Sequence, residues 1–344
     1  MARYHTATAH AAYHDLLRSL KDEAVSSLRG SSGLVERNGR KYWYDSYRVG
    51  SQVRKRYIGE DSEELRSRLA KAEDLKQARE NSRRERARLI RILRAEGFVS
   101  VDATTASLVL VLAAAGMFRL GGTIVGTLAF RLYEGELGIR LGMDEAASTN
   151  DMDIAGSERL SLALSNDEDP RLQQVLSEFS FAPVPSLGEG RTWRWKQTRN
   201  ELVVEFLTPS FSAEEDLRPL AALGVHAQSL HFLAYLIAEP IDIAIPYRSG
   251  VLAQAPRPER FAIHKLIVAD RRHGGPDALK SRKDRRQAQI LIETLARTHR
   301  PFAWPHARGR PDPARLVARN PLASPAARAY FAGVVIWPAG LQPR

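Results

Sequence analysis

The most apolar part of this chain is the window from Ser107 to Phe130. Arg119 and the pair Gly121-Gly122 interrupt it near its middle, whereas a membrane-spanning helix needs about 20 consecutive apolar residues. The window therefore predicts a buried helix, a short buried strand over 117–120 and a second helix from 124 to about 132. A chain with such a segment is expected to fold around a core that contains both helices and strands.

The composition narrows the class of protein further. The chain has 344 residues, no cysteine, and 51 basic against 40 acidic residues, which gives a net charge of +11. A chain without cysteine has no disulfide scaffold, iron–sulfur cluster, Cys-ligated zinc or cysteine nucleophile, so oxygen ligands are expected for any metal. The positive charge allows a polyanionic partner. The first 13 residues lack the apolar region of a secretory signal, and we expect a cytoplasmic protein without a membrane segment.

Changes in local pattern predict three regions. Residues 1–97 are expected to form a helix over 11–29, a three-stranded β-meander with a turn at Asn38-Gly39, and a long helix from 61 or 62 to Gly97. Residues 98–255 are expected to form a second domain of helices and strands. Residues 256–344 are expected to contain helices over 258–271 and 283–296, followed by a tail rich in proline and arginine.

The meander combines cations with aromatic side chains. Stacking on aromatic rings with flanking cations is how single-stranded nucleic acid is commonly bound. The candidate nucleic-acid-binding residues are Arg40, Tyr42, Trp43, Arg54, Lys55 and Arg56. In the alternative interpretation, one aromatic face covers the long helix and the cations are simply solvated.

Three features in the middle of the chain point to phosphate chemistry. Gly121-Gly122-Thr123 stands between the predicted strand and helix, where glycines and helix N–H groups can approach an anion. Asp151 and Asp153 flank Met152 on a predicted strand, so both carboxylates lie on one face and suit Mg²⁺. Glu205 interrupts an apolar strand, which calls for a metal or a cationic partner.

In this order the three features resemble the polymerase-β-like nucleotidyltransferase superfamily. The chain is similar to bacterial nucleotidyltransferase-fold proteins and, more loosely, to AbiE-type toxin nucleotidyltransferases, which share the Gly-Gly-Thr turn and the pattern seen over 149–153. The resemblance covers roughly residues 98–297. It implies an α+β fold in which a small mixed sheet is flanked by helices, here with an N-terminal β-hairpin and long-helix extension and a C-terminal helical part.

The resemblance also implies roles for particular residues. Asp151, Asp153 and Glu205 would be catalytic and would bind two Mg²⁺ ions, of which Glu205 holds the one that activates the acceptor hydroxyl. The turn formed by Gly121, Gly122 and Thr123 would bind the nucleotide phosphates. Lys265 would provide a cation for the triphosphate or pyrophosphate, and Asp284 would orient Lys265 or assist the base.

Two of these assignments have alternatives. The third carboxylate is usually aspartate, so Glu205 could instead form a buried ion pair with an arginine, and Asp242 is a rival third carboxylate. Lys265 could be an ordinary lysine on a helix surface. Asp284 could be an intrahelical partner of Lys280, four residues before it.

The predicted function is the Mg²⁺-dependent transfer of a nucleoside monophosphate from an NTP to a hydroxyl, with RNA, particularly the 3′ end of a tRNA, as the acceptor. One alternative is nucleotidylation of a protein or small molecule. Another is a catalytically weak NTP- or nucleic-acid-binding module that keeps the fold. The resemblance to AbiE-type toxins adds an antitoxin protein as a possible partner.

Overall fold

A computed structural model describes thirteen stretches of the chain. They are residues 3–26, 31–37, 39–49, 52–71, 79–98, 101–141, 151–156, 176–185, 191–199, 201–212, 215–220, 223–272 and 278–298. Residues 157–175 and the tail after residue 301 lie outside these stretches. Among the described residues, none of the helices is both long and apolar enough to cross a membrane.

The N-terminal region contains helices around a three-stranded sheet. Its elements are β1 (Arg3–Tyr4), α1 (Ala7–Ser26), β2 (Ser31–Arg37), β3 (Arg40–Val49), β4 (Gln52–Glu60), α2 (Glu63–Ala70) and α3 (Arg79–Ala95). Strands β2, β3 and β4 pair antiparallel in this order, and Arg37 faces Arg40 across the first turn. The predicted meander is therefore confirmed, and we keep this name for β2–β4.

The single long helix predicted after the meander is wrong in its first part. Ser62 caps α2 by accepting a hydrogen bond from the N–H of Leu65 at 3.1 Å, as expected. The helix then ends at Ala70, where the N–H of Lys71 bonds to the carbonyl of Arg68 in a tight closing turn. None of the α2 residues is buried, so no packing extends the helix.

The rest of the described chain contains the main sheet and the helices that cover it. Its elements are α4 (Ala103–Ala114), β5 (Thr123–Ile124), α5 (Gly126–Leu137), β6 (Ile139–Arg140), β7 (Asp151–Ala155), β8 (Phe181–Pro183), β9 (Arg194–Gln197), β10 (Val203–Pro209), β11 (Leu217–Leu220), β12 (Val225–Leu230), α6 (Leu233–Leu236), β13 (Ile241–Ile245), β14 (Val251–Ala255), α7 (Pro258–Arg271) and α8 (Ala278–Thr298).

The main sheet is mixed, as the α+β prediction requires. Its strand order is β11-β12-β10-β7-β5, and β9 joins β10 with β8 beyond it. Strand β10 runs parallel to β7 and β12 but antiparallel to β9. Strands β13 and β14 form a separate hairpin, and β1 pairs with β6. The fold class predicted from the sequence is confirmed.

The strand predicted over 117–120 is wrong. Gly116 and Gly121 have positive φ angles of 86° and 90°, which let the backbone between them coil into turns. The N–H of Leu120 bonds to Gly116 and that of Gly122 to Met117, so these groups need no neighbouring strand. The strand that enters the sheet, β5, lies six residues later and pairs with β7.

One hydrophobic core joins the N-terminal meander to the main sheet. Tyr42, Tyr44 and Tyr57 of the meander are 5%, 1% and 5% exposed and pack in the same cluster as the residues of the sheet and of α7 and α8. Arg119 adds a hydrogen bond of 2.6 Å from its guanidinium to the carbonyl of Tyr57. The meander is thus part of the main core.

Helix α1 is fixed to the same body by a close contact with α5. The ring of Tyr13 lies against the Cα of Gly135, where a Cβ on the glycine would overlap the ring. The hydroxyl of Tyr13 accepts a hydrogen bond of 3.2 Å from the N–H of Ala244 in β13. Burial raises the pKa of this hydroxyl well above its ordinary value, so it stays protonated.

Candidate active site

Two neighbouring strands bring the predicted acidic residues to one face of the main sheet. In the parallel pair β7–β10, Asp153 lies opposite Glu205 and Asp151 lies opposite Val203. Because side chains alternate along a strand, all three carboxylates project from the same face. The other face carries the buried apolar side chains Met152, Ile154, Val204 and Phe206. Burial of these four residues fixes which face the carboxylates occupy.

Glu205 already has a cationic partner in the structure. Strand β9 pairs with β10 on the side away from β7, and its register places Arg194 opposite Glu205. The guanidinium of Arg194 forms an ion pair with the Glu205 carboxylate and lies 4.9 Å from the centre of the Trp193 ring. The arginine ion pair that the sequence offered as an alternative is therefore present, and a metal-binding role of Glu205 stays a prediction.

Asp153 is the carboxylate whose chemistry is most altered by its surroundings. Burial raises its pKa to about 6, and the negative charges of Glu205 and Asp151 act in the same direction. Lys265 and Arg194 lower the pKa but do not cancel the effect. A carboxylate in this position gains stability from any further cation that approaches it.

The start of helix α5 lies directly against this carboxylate. Gly126 has a φ angle of +66°, and a Cβ at this position would overlap the Oδ2 atom of Asp153. The N–H of Val125, the residue before the helix, bonds to the carbonyl of Asp153 at 2.9 Å. The structure thus places the positive end of a twelve-residue helix beside the carboxylates, with Thr127 in its first turn.

The prediction that Gly121, Gly122 and Thr123 form this helix start is wrong. They precede β5, which separates them from α5. A Cβ on Gly122 would stand 2.6 Å from the sulfur of Met117, so this glycine allows close packing of the chain on itself. The glycine needed at the helix is Gly126, and the dipeptide Gly126-Thr127 was the signal for it in the sequence.

A second charged group belongs to α7 and α8. The buried carboxylate of Asp284 accepts hydrogen bonds of 2.6 Å from both Lys265 and Arg272. This arrangement fits the prediction that Asp284 orients Lys265, and it shows that Asp284 is not an intrahelical partner of Lys280 alone. Burial lowers the pKa of Lys283; the charge of Lys265 acts in the same direction, and Asp284 and Asp151 oppose it, so Lys283 is within electrostatic range of this group.

Arg194, Arg272, Lys283 and Thr127 were not singled out from the sequence. Arg194 could have been found, because β9 and β10 are close in sequence and pair antiparallel, which places it across from Glu205. Arg272 and Lys283 depend on how α7 packs on α8, and no local pattern reveals that packing.

Asp242, the rival third carboxylate, lies elsewhere. It belongs to the β13–β14 hairpin, which is separate from the main sheet, and its carboxylate is 3.3 Å from the amine of Lys21 in α1. Lys21 also binds Glu64 at 2.7 Å. Asp242 therefore helps to attach the N-terminal region and is not beside Asp153 in the sheet.

The structure contradicts part of the nucleic-acid site predicted on the meander. Tyr42 is buried in the core and cannot stack on a base. Trp43 is partly exposed, but its indole N–H donates a 2.8 Å hydrogen bond to Asp61. Arg40 and Lys55 are exposed, with Arg40 lying 3.5 Å from Glu60.

Arg54 and Arg56 are the two remaining candidate residues of the meander. Arg56 is mostly buried and lies 3.9 Å from the fully buried Asp45, while the side chain of Arg54 is outside the described part of the structure. The alternative interpretation is right that an aromatic face is buried, but Tyr42, Tyr44 and Tyr57 pack in the main core, whereas the buried apolar residues of α3 belong to a second cluster.

The carboxylates do not form a closed metal site in the conformation described. Within the described stretches, no group of three or more histidine, aspartate or glutamate side chains is arranged to hold an ion. Asp153 and Glu205 are adjacent, Asp151 is exposed at the start of β7, and Glu205 is engaged by Arg194. The donors are hard oxygen atoms of the kind that Mg²⁺ prefers.

Comparison with known proteins gives two family matches. A family model described as nucleotidyltransferase matches residues 103–308, more than half of the chain, and includes the β7–β10 carboxylates, α5, Lys265 and Asp284. A second model, described only as a domain of unknown function, matches residues 11–67, from α1 to α2. Searches of curated proteins and of solved structures found no match. With a match of this extent over the whole candidate site, the chain belongs to the nucleotidyltransferase family, whose enzymes transfer a nucleoside monophosphate.

Proposed function

We propose that this enzyme transfers a nucleoside monophosphate from an NTP to a hydroxyl group of RNA, particularly the 3′ end of a tRNA, with Mg²⁺ as its cofactor. The observation that carries the proposal is the position of Asp153. It stands opposite Glu205 in a parallel strand pair, while the N-terminus of α5 lies against its carboxylate.

The carboxylates fit a divalent cation by their chemistry. Asp153 has a pKa raised to about 6 by burial and by Glu205 and Asp151, so a bound cation would relieve the repulsion among the three carboxylates. Asp151 and Asp153 would hold the ion, and Glu205 would join them by exchanging its contact with Arg194. Bound there, Mg²⁺ would supply charge neutralisation of the phosphates and a lower pKa for the attacking hydroxyl.

The other groups of the site have roles that need no metal. The N–H groups at the start of α5 and the hydroxyl of Thr127 are suited to binding phosphate oxygens, because the positive end of a helix attracts anions. Lys265 is held by Asp284 and raises the local positive charge near Asp153. A lysine fixed in this way can neutralise the departing pyrophosphate without losing the entropy of a free side chain.

RNA is proposed as the acceptor because of the distribution of charge. The chain carries a net charge of +11 although its candidate site is acidic, so the basic excess belongs to other parts of the sequence. A polyanionic acceptor would be attracted by such a distribution. A toxin role and an antitoxin partner stay predictions from the resemblance, since no contact of the described residues bears on them.

The test uses each radiolabelled NTP with total tRNA and Mg²⁺, and compares the wild type with Asp151→Asn, Asp153→Asn and Asp242→Asn. We expect label in RNA with the wild type and Asp242→Asn, and none with the other two. Mn²⁺ binding, followed by electron paramagnetic resonance without nucleotide, should weaken in Asp151→Asn and Asp153→Asn. Label on the protein or on a small molecule would show that this molecule, and not RNA, is the acceptor. Loss of activity in Asp242→Asn would make Asp242 a candidate metal ligand again.

A further inference from the structure

The end of α7 and the start of α8 form a basic surface next to Lys265, which shares the carboxylate of Asp284 with Arg272. The described residues 270–272 and 278–286 contain seven cations and two carboxylates. The cations are Arg271, Arg272, Lys280, Arg282, Lys283, Arg285 and Arg286, and we call this surface the α7–α8 corner. We propose that the α7–α8 corner binds the phosphate backbone of the RNA acceptor, an inference that rests on the proposed function.

Cations outnumber carboxylates among the described residues of the corner. The carboxylate of Asp284 is buried, with 4% of the side chain exposed, and is shared between Lys265 and Arg272. One negative charge therefore serves two cations. Arg271 lies 3.6 Å from Glu215, yet 52% of its side chain is exposed, so its charge can reach a ligand.

The corner begins where the candidate catalytic residues end. Lys265 links the two, because it binds Asp284 of α8 and also lowers the pKa of Asp153 in β7. The amine of Lys265 donates a 2.6 Å hydrogen bond to Asp284, so the corner adjoins two residues of the candidate site. An RNA strand on the corner would therefore lie next to Lys265 and Asp284.

The number and exposure of the cations favour a polymer over a nucleotide alone. The triphosphate can be served by Lys265 and by the start of α5. Arg282 and Arg286, four residues apart on α8, are exposed and lie on one face of the helix. Leu279, in the first turn of α8, is 77% exposed and offers an apolar surface against which a base can pack. A row of cations beside an apolar side chain suits a strand of phosphates and bases.

The meander is the competing surface, and it is less suitable. Its tyrosines Tyr42, Tyr44 and Tyr57 belong to the core, so its exposed cations have no accessible rings of those three residues beside them. Electrostatic binding alone would then be weak and unspecific. The two surfaces can be separated by mutation because they lie in different parts of the sequence.

The first measurement is fluorescence anisotropy of a fluorescein-labelled tRNA transcript with the full-length protein. The corner variant combines Arg271→Gln, Arg282→Gln and Arg286→Gln, and the meander variant combines Arg40→Gln, Lys41→Gln and Lys55→Gln. A matched control combines Arg18→Gln, Arg88→Gln and Arg91→Gln, three exposed arginines of α1 and α3. A fourth protein carries lysine at the three corner positions and retains their charge.

We expect the Kd for tRNA to rise at least about 10-fold in the corner variant and to stay within about twofold in the control and in the lysine protein. The slope of log K against log salt should fall by about 2 in the corner variant, since three phosphate contacts are lost. The meander variant should bind almost as well as the wild type. Unchanged binding in the corner variant, or a larger loss in the meander variant, would overturn the proposal.

The second measurement is steady-state transfer of labelled NMP to the same tRNA. In the corner variant the KM for tRNA should rise at least about 10-fold, while kcat and the KM for NTP change less than about threefold. If the wild type labels tRNA and the corner variant does so with an unchanged KM, the corner is excluded and the proposed function stands. If the wild type labels no RNA, the proposed function fails, and the corner fails with it as an acceptor site.

Discussion

The meander and the β7–β10 strand pair both alternate charged with apolar or aromatic residues, yet they use the alternation differently. In the meander, Tyr42, Tyr44 and Tyr57 face the core. In the strand pair, Met152 and Val204 face the core, and the carboxylates of Asp153 and Glu205 project from the opposite face. The same pattern thus produced a packing surface in one sheet and a candidate active site in the other.

The difference teaches that alternation identifies two faces but not which of them has a function. The aromatic side chains of the meander looked like a binding surface because their burial partner, the main core, is distant in sequence. The carboxylates of the strand pair are different, since a charged face cannot supply the core of a sheet. Mutations of the strand-pair carboxylates are therefore expected to lower activity, whereas mutations of the buried meander tyrosines are expected to lower stability.

The largest effect is expected for the transfer activity of Asp153→Asn. Replacing the carboxylate by an amide removes the proposed metal ligand, and kcat should fall by about 10³-fold or more, which corresponds to about 4 kcal/mol of transition-state stabilisation. Lys41→Gln, a change on the exposed face of the meander, should leave kcat within about twofold. Steady-state transfer of labelled NMP measures both. If Asp153→Asn keeps a tenth of the wild-type activity, Asp153 is not part of the active site.

The next largest effect concerns folding and comes from the meander. Tyr57 is 5% exposed and packs in the main core, so Tyr57→Ala should lower the free energy of unfolding by about 3–4 kcal/mol. Lys55→Ala, two residues earlier on the same strand, changes an exposed side chain and should cost less than about 0.5 kcal/mol. Urea unfolding followed by circular dichroism gives both values. Equal effects would mean that the meander is not part of the main core.

Alanine substitutions at two glycines are expected to differ by a smaller amount in stability and activity. Gly126→Ala adds a methyl group that overlaps the Asp153 carboxylate, at a φ of +66° that alanine rarely adopts. We expect a loss of about 1–3 kcal/mol in stability and a fall in kcat of about 10-fold or more. Gly33→Ala in β2 meets no atom within 4 Å and should be neutral or slightly stabilising. Thermal unfolding and transfer assays on both variants, including their Tm values, test this contrast.

The smallest effect is a pH-dependent gain in stability on replacement of the Asp153 carboxylate. Folding raises the pKa of Asp153 from 3.8 to about 6, so the ionised form destabilises the folded protein above pH 6. As the pH falls from 6 towards 3.8, the folded protein takes up a proton before the unfolded chain does, and the penalty disappears. In EDTA, Asp153→Asn should be more stable than the wild type by about 1–2 kcal/mol at pH 7.5, since partial exposure screens part of the penalty.

At pH 4 the same two proteins should unfold at nearly the same denaturant concentration, because Asp153 is then protonated in the folded wild type. Guanidinium titrations at the two pH values provide the measurement. A stability difference that is independent of pH would show that the charge of Asp153 is not its cause.

Several parts of the fold could be predicted from the sequence because their causes are local. Alternation predicted β7 and β10, and the Asn38-Gly39 turn predicted the first hairpin of the meander. The strand over 117–120 could not be excluded, because the two glycines that coil this segment also occur at the ends of strands. The start of α5 at Gly126 was missed for the same reason, since two glycine-threonine pairs occur four residues apart.

Only the part of the candidate site that lies on the main sheet could be predicted from the sequence. Asp151, Asp153 and Glu205 lie on neighbouring strands, so their common face followed from the alternation of side chains. The links from Asp284 to Lys265 and Arg272 depend on the angle at which α7 and α8 pack, which no spacing in the sequence encodes.

The contact between Tyr13 and Gly135 carries a consequence for the evolution of this family. Because the tyrosine ring occupies the place of a Cβ, position 135 cannot vary while α1 is docked on α5. Relatives that lack the N-terminal region would be released from this restriction and could accumulate alanine or serine there. The residue at position 135 would then record which lineages acquired the N-terminal region, even in sequences where that region has diverged beyond alignment.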